Sequence, residues 1–96
     1  MTDREAIRRL TLNSHDCLAV SWLHHNHIAA IHAIVIRVFG SGPLSEKAEY
    51  DVMQRIACRA RSFKRDEDSE EWLVKCAIVE CNLLRAELSP DSTKSH

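Results

Sequence analysis

Apolar side chains in the first half of the chain recur with a period near 3.6 residues, as in a helix with one buried face. The pattern predicts one helix over residues 15–39, with Asn13 and Ser14 as cap residues before it. The second half of this helix is apolar over most of its circumference, which favours a central, largely buried position. A glycine and a nearby proline, Gly40 and Pro43, end it. The apolar stripe consists of Cys17, Val20, Leu23, His27, Ile28, Ile31, Val35 and Val38.

Three further helices are predicted from cap residues placed before apolar-periodic segments. Thr2 and Glu5 have the spacing of a capping box, in which each side chain bonds the backbone of the other, and predict a helix over 3–12. Ser45 precedes a helix over 46–63. Ser69, followed by two glutamates that suit the positive end of a helix dipole, precedes a helix that extends to Leu88.

These segments predict an all-α fold, a small helical bundle of three main helices plus a short N-terminal helix. Only two glycines and two prolines interrupt the 96 residues, which favours helices over a turn-rich β-fold. The length suffices for one domain, which we expect over residues 1–90. The polar residues 91–96 are expected to form a disordered tail.

Overall charge and hydropathy exclude some classes of protein and indicate where this one is located. Thirteen Lys and Arg residues oppose fourteen Asp and Glu residues, and a net charge of −1 excludes a protein that coats nucleic acid by bulk charge. The longest apolar run, 28–38, contains His32 and Arg37 and is too short to span a membrane. The charged first residues lead into no signal-peptide core. We therefore expect a cytoplasmic protein without membrane contact, whose four cysteines are reduced and mostly buried.

Four histidines near Cys17 could be metal ligands, a pH-sensitive patch, or ordinary surface and core residues. His24 and His27 lie three residues apart, and His25 and His32 lie seven apart, so each pair could share a helix face as metal ligands or as a pH-sensitive patch. No carboxylate completes an HExxH-like pattern, which favours ordinary surface and core histidines. No nucleophile, base and orienting group can be combined, so we predict no enzyme, no cofactor and no metal.

Charge is segregated along the second half of the chain. Residues 55–65 contain five basic side chains and no acidic one, whereas residues 66–71 contain five acidic side chains and no basic one. Favourable charges at two helix ends are one explanation. A ridge that contacts phosphates, flanked by an acidic block, is the other.

Several short motifs occur in the order found in one bacterial family. They are Arg-Val-Phe-Gly at 37–40, Asp-Val-Met-Gln at 51–54, Arg-Ala-Arg-Ser-Phe at 59–63, Trp-Leu-Val-Lys at 72–75 and Glu-Cys-Asn-Leu-Leu-Arg at 80–85. Their order and spacing resemble region 2 of sigma-70-type factors of RNA polymerase, especially the extracytoplasmic-function group. The resemblance covers residues 22–88 and implies an all-helical fold and a role in transcription initiation.

The resemblance also implies two sets of contact residues. The Asp-x-x-Gln helix of the family docks on the coiled coil of the polymerase β′ subunit, which assigns Asp51 and Gln54, with the neighbouring Arg55, to the surface that binds core RNA polymerase. The following helices of the family hold an unstacked base of the −10 promoter element. The cations available here for promoter DNA are Arg59, Arg61, Lys64, Arg65, Lys75 and Arg85.

Two departures from the family keep other functions open. Val79 stands where many members have an asparagine that helps to hold the flipped base, and the acidic residues 66–71 would repel a phosphate backbone. One alternative is a helical interaction module that has lost promoter recognition and binds polymerase, an anti-sigma factor or a second copy of itself. Another is a metal-responsive or redox-responsive helical regulator.

Overall fold

The computed structural model describes residues 1–88 and contains five α-helices in this part of the chain. The predicted all-α bundle is confirmed, although it has five helices rather than three plus one. The predicted tail at 91–96 lies outside the described residues. The helices are α1 (Asp3–Leu12), α2 (Cys17–Asn26), α3 (Ile28–Phe39), α4 (Pro43–Cys58) and α5 (Ser69–Leu88), with a 3₁₀ turn at Ala60–Ser62.

The N-terminal helix has the predicted bounds and the predicted cap. Thr2 has an extended backbone, and its hydroxyl accepts a hydrogen bond from the backbone N–H of Glu5 at 3.1 Å. The side chain of Asp16 caps α2 in the same way, accepting from the N–H of Ala19 at 3.1 Å. Each cap satisfies a donor that a helix start leaves unpaired.

The continuous helix predicted over 15–39 is wrong, because the chain leaves helical geometry at His27. This residue has φ −125° and ψ 21°, and it separates α2 from α3. Its ring Nε2 lies 2.9 Å from both carboxylate oxygens of Asp3 in α1. The break lets the imidazole reach α1 and joins three helices at one point, because His27 Nδ1 also lies 3.5 Å from Glu70 Oε1 of α5.

The helix predicted over 46–63 begins earlier and ends earlier. Pro43 occupies the first turn of α4, where the missing N–H of proline has no cost. Gly42 before it has φ 137°, which side-chain-bearing residues rarely adopt. After Cys58 the chain tightens into the 3₁₀ turn and becomes extended at Phe63.

The core lies where α5 packs against α3 and α4 and where α1 packs against α2 and α4. Only Ile31 and Val35 of α3 are fully buried, so α3 is less enclosed than its composition predicts. Ile28, at its first turn, is 49% exposed. Within residues 1–88, no helix combines the length and hydropathy needed to cross a bilayer. The largest fully buried side chains are Ile7, Leu23, Ile31, Ile56, Leu73, Val35, Val52 and Cys81.

Candidate interaction site on the α4 face

An open cleft of about 540 Å³ lies where α2, α3 and α4 meet. Its volume is in the range of ligand pockets, but it is an open depression rather than an enclosed cavity. Apolar side chains form much of its wall, and histidines and carboxylates form its rim. The lining residues are Cys17, Val20, Ser21, His24, His32, Glu46, Glu49, Tyr50, Met53 and Gln54.

Glu49 is the polar centre of this cleft. One of its carboxylate oxygens lies 2.5 Å from His24 Nε2, and the other lies 2.9 Å from His32 Nδ1. Burial would raise the pKa of Glu49, but the hydrogen bonds from the two histidines outweigh burial and hold it below the ordinary value of 4.5. Glu49 is therefore an anion at neutral pH, and it orients two rings that come from different helices.

The histidine pairs suggested by sequence spacing do not form. His24 and His32 share Glu49, whereas His27 lies with Asp3 on the other side of the helix break. Among residues 1–88, no group of three or more His, Cys, Asp or Glu side chains is arranged to hold a metal ion. Both histidine pairs require one straight helix, and the break at His27 interrupts it.

The three residues implied for polymerase binding differ in whether they already have partners within the protein. Gln54 lines the cleft, and the Asp51 side chain is 46% exposed on the same helix. Arg55 instead turns towards α5 and donates two hydrogen bonds to Glu87, at 2.9 and 2.7 Å, while its Nε donates to Asp51 at 3.0 Å. The carboxylates of Glu87 and, to a lesser extent, Asp51 raise the pKa of Arg55. The positive charge of Arg55 is therefore already paired with negative charges within the protein.

Arg59, one of the residues implied for DNA binding, forms an ion pair with Glu80 of α5. Glu80 is a buried carboxylate, 5% exposed, and Arg55 Nη1 lies 3.9 Å from it. Buried carboxylates need such partners, because desolvation of an unpaired charge is costly. Arg55 and Arg59 therefore connect α4 to α5, and neither offers an unmatched positive charge to a phosphate.

Three other implied DNA contacts lie together beside α1. Arg61, Lys64 and Arg65 are exposed on the segment that follows α4. Arg4 of α1 joins them, because its guanidinium donates to the backbone oxygen of Arg65 at 2.5 Å and to that of Glu67 at 3.0 Å. We call Arg4, Arg61, Lys64 and Arg65 the basic corner.

Lys75 and Arg85 lie elsewhere, on α5. Lys75 lines a hollow between α3 and α5 together with Glu70 and Glu71. Arg85 lines a second hollow between the same helices. The six residues implied for DNA binding are therefore not brought onto one surface: Arg59 is paired with Glu80, three residues belong to the basic corner, and two lie along α5.

The aromatic rings near the basic corner belong to the core. Trp72 is 3% exposed, and its Nε1–H donates to the Ser62 hydroxyl at 3.0 Å. Phe63 packs edge-on against it, with 5.5 Å between ring centroids, and the Arg4 guanidinium covers Phe63 at 5.2 Å. Tyr50, which sequence reasoning did not single out, is the one aromatic side chain in residues 1–88 that is mostly exposed, at 70%. The available ring therefore lies on α4.

All four cysteines are free thiols, two of them buried and two exposed. Burial raises the pKa of both the Cys76 and the Cys81 thiols to about 11, so these groups stay protonated at neutral pH. Cys17 and Cys58 are exposed, and Cys17 lies in the wall of the cleft. The sequence-based expectation of mostly buried thiols holds for half of them.

Comparison with known proteins identifies no relative of this chain. No family model, no curated protein and no solved structure matches it. The resemblance to sigma region 2 therefore depends on the order of the short motifs. The cleft, Glu49 and Tyr50 come from the structure alone, because the spacing of residues along one helix does not indicate which other helix will face it.

Proposed function

We propose that this chain is a sigma region 2-like transcription protein that binds the coiled coil of the RNA polymerase β′ subunit through α4. Tyr50, 70% exposed beside Asp51 and the cleft residue Gln54, is the observation that carries the proposal. An exposed tyrosine next to a depression is typical of an interface hot spot, since one ring buries a large area at little entropic cost. We call Tyr50, Asp51 and Gln54 the α4 face.

Charge supports a basic partner surface for this face. Glu46 and Glu49 line the cleft beside the α4 face and supply its negative charge. The positive charge of Arg55 is shared between Asp51 and Glu87, so neither Arg55 nor Asp51 adds an unpaired charge there. A partner helix that presents arginine or lysine would be attracted and oriented by this arrangement. The proposal implies a bacterial, cytoplasmic protein that acts by binding and not by catalysis.

Titration of purified core RNA polymerase with the labelled chain tests the proposal. We expect Tyr50→Ala, and the double variant Asp51→Ala with Gln54→Ala, each to weaken binding at least about tenfold, the equivalent of about 1.4 kcal/mol. The matched control is Leu12→Ala, at a side chain that is 83% exposed on α1. Unchanged binding in both α4 variants, with the helical circular dichroism signal intact, would exclude the α4 face as the docking surface.

The basic corner supports promoter binding as a second candidate function. Three of its cations follow one another within residues 61–65 and Arg4 bonds the backbone of Arg65, so the corner presents a run of positive charge that attracts backbone phosphate. Capture of an unstacked base is not favoured, because Arg59 is paired with Glu80 and the Trp72 ring is buried. The alternative is an interaction module without promoter recognition, whose partner would be polymerase, an anti-sigma factor or a second copy. Such a module would bind through the α4 face and would not bind DNA through the basic corner.

Binding of single-stranded −10 DNA separates the two candidates. If the corner binds phosphates, affinity falls steeply with salt, and Arg61→Ala with Lys64→Ala reduces both the affinity and the salt slope. If no binding is measurable at low salt, the interaction module remains. Neither outcome changes the expectation for the α4 face, since the two surfaces share no residue.

A further inference from the structure

The outer surfaces of α3 and α5 form a second exposed face, separate from the α4 face. The two helices run in the same direction, because Ala30 lies with Glu71 at one end and Arg37 lies with Arg85 at the other. We call this surface, formed by Ala30, Ala33, Arg37, Glu70, Glu71, Val74, Lys75, Ile78, Asn82 and Arg85, the α3–α5 face.

The α3–α5 face carries Glu70, Glu71 and Lys75 at one end, Ile78 at its centre, and Arg37 and Arg85 at the other end. Ile78 is 45% exposed at the centre, beside the exposed Ala33 of α3. Glu70 and Glu71 lie at the end where α5 begins. Arg37 and Arg85 lie at the end where α3 and α5 finish.

We propose that this face is the interface of a homodimer, in which a two-fold axis passes close to Ile78. Glu71 precedes Ile78 by seven residues, and Arg85 follows it by seven. When the α5 helices of two copies cross antiparallel at Ile78, each Glu71 lies opposite Arg85 of the other copy. The same rotation brings Glu70 towards Arg37 of the other copy, so each glutamate of the face approaches an arginine of the other copy.

A second copy satisfies this face better than other arrangements do. A parallel pairing places glutamate against glutamate and arginine against arginine, which repels. A uniformly basic or acidic partner matches one end and is repelled by the other. An antiparallel copy of this face places its arginines near the glutamates and its glutamates near the arginines, so it matches both ends.

The dimensions of the face predict a weak dimer. The fourteen helical steps from Glu71 to Arg85 span about 21 Å along α5, and two helices side by side cover about 20 Å across. The resulting contact is about 400 Å² per copy, below the roughly 800 Å² per partner that is typical of tight complexes. We therefore expect reversible association in the micromolar range. The dimer covers Arg85 and leaves the α4 face open, so it is independent of the proposed polymerase contact.

Sedimentation equilibrium of the full chain, from about 5 µM to about 500 µM, tests the association. We expect a monomer–dimer equilibrium that Ile78→Glu weakens at least about tenfold and that Leu12→Glu leaves unchanged. Both positions are exposed, so each variant should retain its helical signal. A monomer throughout the range, or a dimer indifferent to Ile78→Glu, would overturn the proposal.

Charge exchange tests the two-fold register without touching the apolar centre. Glu71→Arg and Arg85→Glu each place like charges opposite one another at both ends of the dimer, and each should weaken it at least about fivefold. The double variant restores opposite charges and should return to the affinity of the unmodified chain. If the double variant is as weak as the single ones, the antiparallel register is wrong.

Discussion

The contact between α4 and α5 predicts an unequal response to removal of its two charges. Glu80 is 5% exposed, whereas the Arg59 side chain is 41% exposed. Without Arg59, the Glu80 carboxylate stays buried, and its remaining cation is Arg55, 3.9 Å away and already engaged by Glu87. Without Glu80, the Arg59 guanidinium can return to water. Loss of the arginine is therefore the more damaging change.

The magnitudes follow from these exposures. Removing one partner of a fully buried pair costs about 3–5 kcal/mol, and the partial exposure of Arg59 reduces this figure. We expect Arg59→Met to lower the free energy of unfolding by about 2 kcal/mol and Glu80→Met by about 1 kcal/mol. The double variant removes the buried charge with its partner and should lose about 1 kcal/mol, so the two changes are coupled by about 2 kcal/mol.

Urea denaturation of the four proteins, followed by helical circular dichroism at neutral pH, measures this coupling. Lys75→Met, at an exposed residue on α5, is the control for loss of a positive charge and should change stability by less than about 0.5 kcal/mol. If the losses in the double variant equal the sum of the single losses, or if Glu80→Met is the more harmful change, then Arg59 does not stabilise the buried carboxylate and the reasoning fails.

Two further predictions concern the cleft and the thiols. The lowered pKa of Glu49 means that its ionised form stabilises the fold above pH 4.5 and that this contribution disappears as pH falls through the folded-state pKa. Glu49→Gln should thus be less stable than the unmodified chain at neutral pH in urea denaturation, and the difference should vanish in acid; a constant difference would contradict this. A disulfide-exchange reagent should modify Cys17 and Cys58 in the native protein, and Cys76 and Cys81 only after unfolding, so more than two fast thiols would be inconsistent with the burial.

The helix ends set by local chemistry could be predicted from the sequence. The bounds of α1 follow from the Thr2 cap. The start of α5 is predicted to within one residue, but its cap is Asp68, which accepts from the backbone N–H of Glu71 at 2.9 Å, and not the predicted Ser69. The break at His27 could not be predicted, because apolar residues keep the same phase on both sides of it. His27 forms a hydrogen bond with Asp3, twenty-four residues earlier, and a local sequence pattern carries no information about such a contact.

The roles implied for the arginines show the same limit. Arg55 and Arg59 lie in a basic run, which favours a surface that attracts phosphate. Their actual partners, Glu87 and Glu80, are thirty-two and twenty-one residues away in sequence. Whether a positive charge is available to a ligand depends on which helix packs beside it. The Trp72 ring is a simpler case, since its apolar spacing favours a core position and the structure buries it.

The attachments of α1 have a consequence for the order of folding. Asp3 accepts a hydrogen bond from the Ser69 hydroxyl, and Arg4 bonds the backbone oxygens of Arg65 and Glu67, across sequence separations of 61 to 66 residues. Loops of this length close slowly, because many chain conformations must be excluded before the contact forms. During synthesis, α1 is made well before the segment that fixes its first turn. The first turn of α1 therefore gains these bonds only once the beginning of α5 is present, whereas the packing of α1 against α2 needs no later segment.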